Sequence, residues 1–441
     1  VVAFCQQVGI NTGSMLDIKF IRETPGAVKK ALKTRGEDDA VIDRLLEIDE
    51  QRRQGITRVE QLKSERNAIS KEIGVRKKAG EPVDELMNGM KEKSDLIARL
   101  DQESSDWDEK LRQELLRIPN LPHPACPVGR NEEENPEVGS FGEKPVFDFE
   151  PKEHMALAEE AGWLRFADAA KVSGSGFVVF HGAGAKLERA LINFMLDLHT
   201  GLHGYTEVSP PLLVREASMT GTGQLPKFLE DMYGFTEENL FLAPTAEVPV
   251  TNLFREQILQ EKDLPLKRVA YTPCFRREAG SAGKVTRGLI RMHQFDKVEL
   301  VRVVHPDCSY QALEELRREA ETVLEKLELH YRTVELCTGD LGFGAAKCYD
   351  IEVWAPGTEL YLEVSSCSNF EAFQARRMQL RFKGADKKNH FCHTLNGSGT
   401  ALPRLVVALL ETGQQADGRI RLPEALHPYF GGEMIVPEKD L

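Results

Sequence analysis

No run of apolar residues in this chain approaches the roughly 18 that a membrane-crossing helix needs, so the sequence offers no candidate membrane span. Cysteine is sparse and unpatterned. The eight, at 5, 126, 274, 308, 337, 348, 367 and 392, form no CxxC pair and no Cys/His cluster at ligand spacing. They read as reduced thiols of a cytoplasmic protein, and no structural zinc is expected. Two glycine signatures are missing as well: there is no GxxxxGK[ST] and no GxGxxG following a strand. A bound nucleotide would therefore sit in neither a P-loop nor a Rossmann crevice. Positive charge is in deficit, with 57 Lys and Arg against 70 Asp and Glu and a net charge of −13. That excludes bulk nucleic-acid binding by the whole surface and leaves room for a local basic stripe. At 441 residues, with 41% apolar and 29% charged residues, the chain suits two or three domains and at least one large core. Residues 1–14 precede Met15 and lack the basic start and long apolar centre of a secretory signal. They are expected to be a leader or an appended segment.

The stretch that organises the rest is 268–302, RVAYTPCFRREAGSAGKVTRGLIRMHQFDKVELVR. Two strand-like runs flank a loop rich in Gly, Ser, Lys and Arg. Alternation in the second run puts Arg291, His293, Phe295, Lys297 and Glu299 on one face and Ile290, Met292, Val298 and Leu300 on the other. Fixed cations, an aromatic plate and a carboxylate on one face are the parts that hold a polyphosphate, a flat base and an ammonium side by side. A solvated sheet face is the plainer alternative.

Residues 15–40 give a short amphipathic opening with a Pro near a helix start. From about 41, Leu45, Ile48, Ile56, Val59, Leu62, Ile69 and Ile73 recur on three- and four-residue steps, interrupted by Arg52 and Arg66. After KKAGEP (77–82) the stripe resumes at Leu86, Met90, Ile97, Leu100, Trp107, Leu111, Leu115 and Ile118. Two such seams joined by a short turn predict an antiparallel helical hairpin over about 41–118, with a first helix on the order of 57 Å long. Arg76, Lys77 and Lys78 at its tip, with Arg52, Arg53, Lys63, Arg66 and Lys71 along the first helix, suit a phosphate backbone. A merely solvated coiled coil is the other reading. The prolines of 119–139 stop the helix and read as a linker. Beyond them, helical runs such as HMALAEEAGWLRF and AKLERALINFMLDLHT alternate with β-rich runs such as FVVF, VELV, YDIEVWA and ELYLEVSS. The expected class is α+β: an N-terminal antiparallel coiled-coil arm (domain 15–118), a linker (119–139) and a domain over 140–441 built on an antiparallel sheet flanked by helices.

FRREAGSAGKVTRGLIRMHQFDKVEL resembles the second signature motif of the bacterial-type seryl-tRNA synthetases, members of class II. HGYTEVSPPLLV (203–214) resembles the first motif, ending on Pro211. FLAPTAEVPVTNLF (241–254) carries the family's TxE element, and LNGSGTALPRLVVALLE (395–411) resembles the third motif, with Arg404. With the hairpin, the resemblance spans essentially all of 15–441. Arg277 stands where the family usually has Ser, Gly176 where it has Arg, Val285 where it has Asp, Cys348 where it has Thr or Lys, and Pro403 where many members have Gly.

The resemblance implies activation of L-serine by ATP to seryl-adenylate, then transfer to tRNA(Ser), and by family habit also to tRNA(Sec). Arg276, Arg404 and Glu363 would be catalytic. Arg276 would meet the α-phosphate, while Arg291 and Arg404 hold the β/γ end of a bent ATP. Phe295 and the Arg404 guanidinium would sandwich adenine, and Glu278 would accept from its amino group. Arg277, Met292 and the EVSS run Glu363, Val364, Ser365 and Ser366 complete the implied ATP contacts, with Glu363 and Ser366 as Mg²⁺ ligands. Thr245, Ala246, Glu247, Arg276, Glu299 and Ser398 would hold serine. Further expectations are tRNA binding through Arg76, Lys77 and Lys78, a homodimer, no membrane partner and a cytoplasmic location. Two alternatives stay open: a related ligase that loads an amino acid onto a carrier protein, and an inactive paralogue acting as a binding protein. The first lacks the long arm in known relatives. The second would be marked by loss of Arg276, Arg404 or Glu363, and all three are present.

Overall fold

The Asp17 carboxylate accepts the Lys19 N–H at 2.9 Å and so caps the short helix α1 (Ile18–Glu23). Pro25, whose missing N–H costs nothing at a helix start, opens α2 (Pro25–Thr34). In the computed structural model, which describes residues 17–235, 237–279 and 288–437, these helices belong to a first compact unit, Leu16–Ile118. Its bulk is the expected hairpin, α3 (Ala40–Ala79) and α4 (Asp84–Leu115). At 40 residues, α3 extends about 60 Å. It ends on Gly80 at φ +72°, where the Gly80 and Glu81 N–H groups return to the Lys77 and Arg76 carbonyls, a left-handed cap that glycine takes without strain.

The hairpin seam centres on Val59, Leu62 and Ile97, with Leu96 and Leu100 alongside. Ile48, Ile56 and Ile69, expected in the seam, are half-buried. The interruption at Arg52 is a polar layer. Asp49, 1% exposed, pairs with Arg22 at 2.7 Å and lies 3.6 Å from Arg52, which reaches Asp108 on α4 at 3.4 Å. Several cations expected to face a phosphate backbone are instead paired within the arm: Lys63 with Asp101 at 3.1 Å, Arg53 with Glu50 at 3.4 Å and Arg76 with Glu72 at 2.5 Å. Arg66, Lys71, Lys77 and Lys78 make no ion pair among the described residues.

The second unit, Pro119–Leu441, is built on an eight-stranded sheet. Its strands are β1 (Glu137–Phe141), β2 (Thr206–Glu207), β3 (Leu266–Phe275), β4 (Gln294–Val304), β5 (Tyr331–Glu335), β6 (Lys347–Ala355), β7 (Leu360–Glu371) and β8 (His393–Ala401), in the order β1-β5-β6-β7-β8-β4-β3-β2. Every pair is antiparallel except β2 with β3. Helices α5 (Ala183–Gly201), α7 (Ser309–Lys326) and α8 (Leu402–Gly413) cover one face. Leu187, Leu316 and Val406 pack there with Val269, Val298, Leu300 and Ile351 of the strands. On the other face lies the short α6 (Glu247–Asn252), whose Val250 packs with Ala246, Ala270 and Val301.

Three expectations change. The prolines of 119–139 do not mark a loose tether. The Asn120 side-chain amide donates to the Gly344 and Phe370 carbonyls, each at 2.9 Å, the Thr338 N–H donates to the Pro127 carbonyl, and β1 is already the edge of the sheet. The second strand of the organising stretch starts at Gln294, so Arg291 and His293 precede it in irregular backbone. HMALAEEAGWLRF is helical over His154–Ala161, then extended at Leu164–Arg165, and its last residue, Phe166, opens a second helix. The leader expectation for 1–14 and the Val285 position lie outside the described residues.

Candidate active site

A cleft of about 660 Å³ opens on the sheet face opposite α5, α7 and α8. One end is guanidinium-rich. Arg276 follows β3 directly. Its Cζ lies 5.2 Å from the Phe295 ring centroid and its Nε donates to the Pro244 carbonyl at 3.3 Å. Arg291 is ion-paired with Glu278, which sits at φ +52°. Arg404, in the first turn of α8, donates from Nη1 to the Glu363 carbonyl at 2.7 Å and lies 3.5 Å from its carboxylate. All of these side chains line the cleft. Pro403 fits because it stands in the first turn of α8, where no backbone donor is needed.

The other end is carboxylate-rich. Glu247 opens α6, with Gln374 Nε2 donating to its Oε1 at 2.5 Å and Asn396 Nδ2 to its Oε2 at 3.3 Å. The same Asn396 amide donates to Glu299 Oε1 at 2.7 Å. Lys297 Nζ bridges Glu299 Oε2 at 2.5 Å and Thr245 Oγ1 at 2.8 Å. Burial, and next the Glu299 charge, push the Glu247 carboxyl up to about 7, against a smaller lowering from the Gln374 hydrogen bond. The geometry depends on a bulge: β4 and β8 shift register between Val298 and Glu299, setting Glu299 opposite Ser398. Gly399 is the extra residue. A Cβ there would stand 2.9 Å from His199 Nε2 and 3.1 Å from Val298, closer than side chains pack.

Not every expected side chain reaches the cleft. Met292, in the irregular backbone before β4, turns into the core beneath the helices. Ala246, in the turn that opens α6, joins the small apolar cluster beside it, and alternation along β7 sends Ser365 inward, where its Oγ donates to the Ser398 carbonyl at 2.6 Å. Arg277 is exposed and stands outside the lining; its backbone N–H donates to the Asp231 carbonyl at 2.8 Å. Glu299 is fully buried, covered on the cleft side by Lys297 and Asn396, which do line it. His293 packs on Phe177 at 5.4 Å and donates its N–H to Gly176. Gly176, at φ +81°, has no room for a Cβ against the His293 ring, so the Arg usual in the resembled family would be strained here.

Asn396 and Gln374 were given no role by the sequence, and Lys297 only a place among the fixed cations of the strand face. Asn396 lies two residues before Ser398 on the same strand, so alternation could have found it. Gln374 arrives from a helix at Phe373–Met378 and left no local signal.

Beyond the guanidinium end, Glu363, Val364 and Ser366 reach the cleft. Asp350, opposite Ser366 in the β6–β7 register, is held well above the ordinary carboxylate range by burial and then by the Glu363 charge. Cys348 Sγ stands 3.2 Å from Ser366 Oγ. Among the described residues no three His, Cys, Asp or Glu side chains converge as metal ligands.

Two family models match the chain: the class II tRNA synthetase core domain (G, H, P, S and T) over 233–413 and the seryl-tRNA synthetase N-terminal domain over 15–122. The serine–tRNA ligase of Akkermansia muciniphila is 59% identical over 96% of this chain and 100% of that protein. That of Carboxydothermus hydrogenoformans is 55% identical over 96% and 99%. The crystal structure of seryl-tRNA synthetase from Pyrococcus horikoshii complexed with ATP superposes with a TM-score of 0.91, at 41% identity, over 96% of this chain and 100% of that one.

Proposed function

The chain belongs to the seryl-tRNA synthetase family, and from that relationship we propose that it joins L-serine to tRNA(Ser) in two steps with ATP as substrate. In the first, a serine carboxylate oxygen attacks the α-phosphorus and pyrophosphate leaves. In the second, the terminal ribose hydroxyl of the tRNA attacks the adenylate carbonyl and AMP leaves. The observation that carries this reading is the two-ended cleft, with fixed guanidinium groups at one end and a hydrogen-bonded carboxylate wall at the other. Both reactants of the first step are anions, so positive charge must stand where negative charge accumulates. Arg276, at the guanidinium end, would hold the α-phosphate and the attacking carboxylate together. Arg291 and Arg404 would leave their apo partners Glu278 and Glu363 to take the outer phosphates, and Phe295 would support the base. Thr245, Glu247 and Ser398 would receive the ammonium and hydroxyl of serine. A site built to pair a hydroxyl rejects alanine by leaving those groups unsatisfied.

Glu363 and Ser366 fit Mg²⁺. They offer two hard oxygens beside the buried Asp350 carboxyl, and a cation that keeps its own waters needs few protein ligands. Bound there, Mg²⁺ supplies charge neutralisation for the phosphates. The unpaired Lys77 and Lys78, with Arg76, would meet the tRNA backbone, since RNA duplexes are read mainly through shape and phosphate. We further propose a homodimer working in the cytoplasm. The carrier-protein alternative is disfavoured by the arm, which matches the seryl-tRNA synthetase N-terminal model. Serine-dependent ATP–pyrophosphate exchange, followed by charging of a tRNA with a long variable arm, tests the reading. Exchange without charging would leave only its first half standing.

A further inference from the structure

Lys297 is 6% exposed, on the same strand face as Glu299. Its ammonium bonds Thr245 Oγ1 and Glu299 Oε2 at 2.8 and 2.5 Å, two of the groups expected to receive the ammonium of serine. Glu299 is thereby neutralised from the cleft side. Glu247, the other carboxylate of this wall, has among the described residues only the neutral amides of Gln374 and Asn396 as hydrogen-bond partners of its carboxylate, and it lines the cleft directly. The single Asn396 amide ties the two carboxylates together.

We propose that Lys297 is a positioning residue for the amino-acid end of the site: it satisfies Glu299, leaves the wall one positive charge short at Glu247, and so reserves that place for the ammonium of the substrate. This rests on the seryl-activating reading above and names a residue and a charge balance for it. Charged and titratable groups near Glu247 are few. Lys297 and Glu299 project from β4, and Arg276 follows β3 with Phe295 beneath it; Cys274, whose thiol burial pushes up, lies behind Lys297. In the empty site Glu247 holds a proton up to about pH 7. A substrate ammonium arriving there repels that proton, which passes to solvent. Serine binding is therefore coupled to release of up to one proton below neutrality, while its own ammonium stays charged.

The test is the pH dependence of the serine KM in pyrophosphate exchange from pH 6 to 8.5, beside the ATP KM. Serine affinity of the full chain is measured by calorimetry in two buffers of different ionisation enthalpy. For the wild type, the serine KM is expected to be flat above about pH 8 and to rise toward tenfold per unit below 7. The ATP KM stays within a few-fold, and calorimetry reads proton release at pH 6. Glu247→Gln should give a flat serine profile with a raised KM. Lys297→Gln should move the midpoint up by at least one pH unit and raise the serine KM at pH 7 at least tenfold, with a smaller change in kcat. Lys297→Arg, which keeps the charge, should keep the wild-type midpoint. A flat wild-type profile, or Lys297→Gln with an unmoved midpoint, overturns the proposal. If Lys297→Gln does not fold, the wild-type and Glu247→Gln profiles decide alone. Absence of any serine-dependent exchange would instead sink the proposed function, independently of these profiles.

Discussion

In the proposed mechanism, Arg276 and Arg404 are the single residues on which serine activation depends most. Each is held in place by a backbone carbonyl, Pro244 for the first and Glu363 for the second, so either side chain can be removed without disturbing the sheet. Arg276→Ala and Arg404→Ala should each lower kcat/KM for exchange by at least tenfold to a hundredfold. A charge-assisted contact is worth about 1.5–3 kcal/mol in the ground state, and more where charge builds in the transition state. Exchange and thermal melting measured together check this: near-normal exchange by either variant would move the ATP site elsewhere. At this scale the sequence was legible wherever side chains alternate along a strand. Phe295 and Lys297 fall on the cleft face as the period of two requires. The same period explains only one of the misses, Ser365. A motif is a run of adjacent letters: alternation sends Ser365 to the core, while Met292 and Ala246 lie in irregular backbone and a helix-opening turn, where no period applies. Glu299 is on the correct face yet lies beneath Lys297, a layering that no periodicity encodes.

At the scale of elements, the hairpin was read almost to the residue, because a 40-residue helix repeats its seam many times and a Gly–Glu–Pro break is hard to mistake. What the repeat could not say is that α1 and α2 belong with it. Arg22–Asp49 and Lys29–Asp43, at 2.7 and 2.6 Å, tie those helices to α3. The deletion that tests the arm is therefore the whole of 16–118. Without it, serine-dependent exchange should persist and tRNA charging should fall by orders of magnitude; normal charging would make the hairpin a strut. Reversing Lys77 and Lys78 to Glu should weaken tRNA binding less, with the loss shrinking at high salt, which filter binding across a salt series would read. A second element-level prediction concerns the packing of α5 on β4. Glu188 of α5 faces Asp296, which accepts from Tyr271 at 3.1 Å. Burial and the Asp296 charge push Glu188 up to about 8. A carboxyl raised on folding is easier to ionise in the unfolded chain. Stability is therefore lost as pH rises from the ordinary carboxylate range toward 8. Glu188→Gln should then stabilise the protein at pH 8, on the order of 1–2 kcal/mol, and do little at pH 4.5. Urea melts at the two pH values check it, and an equal effect at both would contradict it.

For the whole molecule, the change of texture near residue 118 marked the division into a helical unit and a mixed α/β unit, because seam periodicity and strand alternation are local properties. The order β1-β5-β6-β7-β8-β4-β3-β2 was not legible. Nothing local tells β1 that it will pair with β5 nearly two hundred residues later, and the prolines between 119 and 139 read as a tether for the same reason. The cleft depends on that long-range pairing, since β4, β7 and β8 bring Lys297, Glu363 and Asn396 to it from sequence positions about 100 residues apart. The most direct measurement is ATP–pyrophosphate exchange by the full chain with serine, alanine, threonine and glycine offered singly. Serine alone should support exchange, with alanine and threonine lower in kcat/KM by at least a hundredfold. No exchange with serine, or an equal rate with another of the four, would contradict the proposed site, whose carboxylate wall and Ser398 beside the Gly399 bulge are read as selecting one small hydroxylated amino acid.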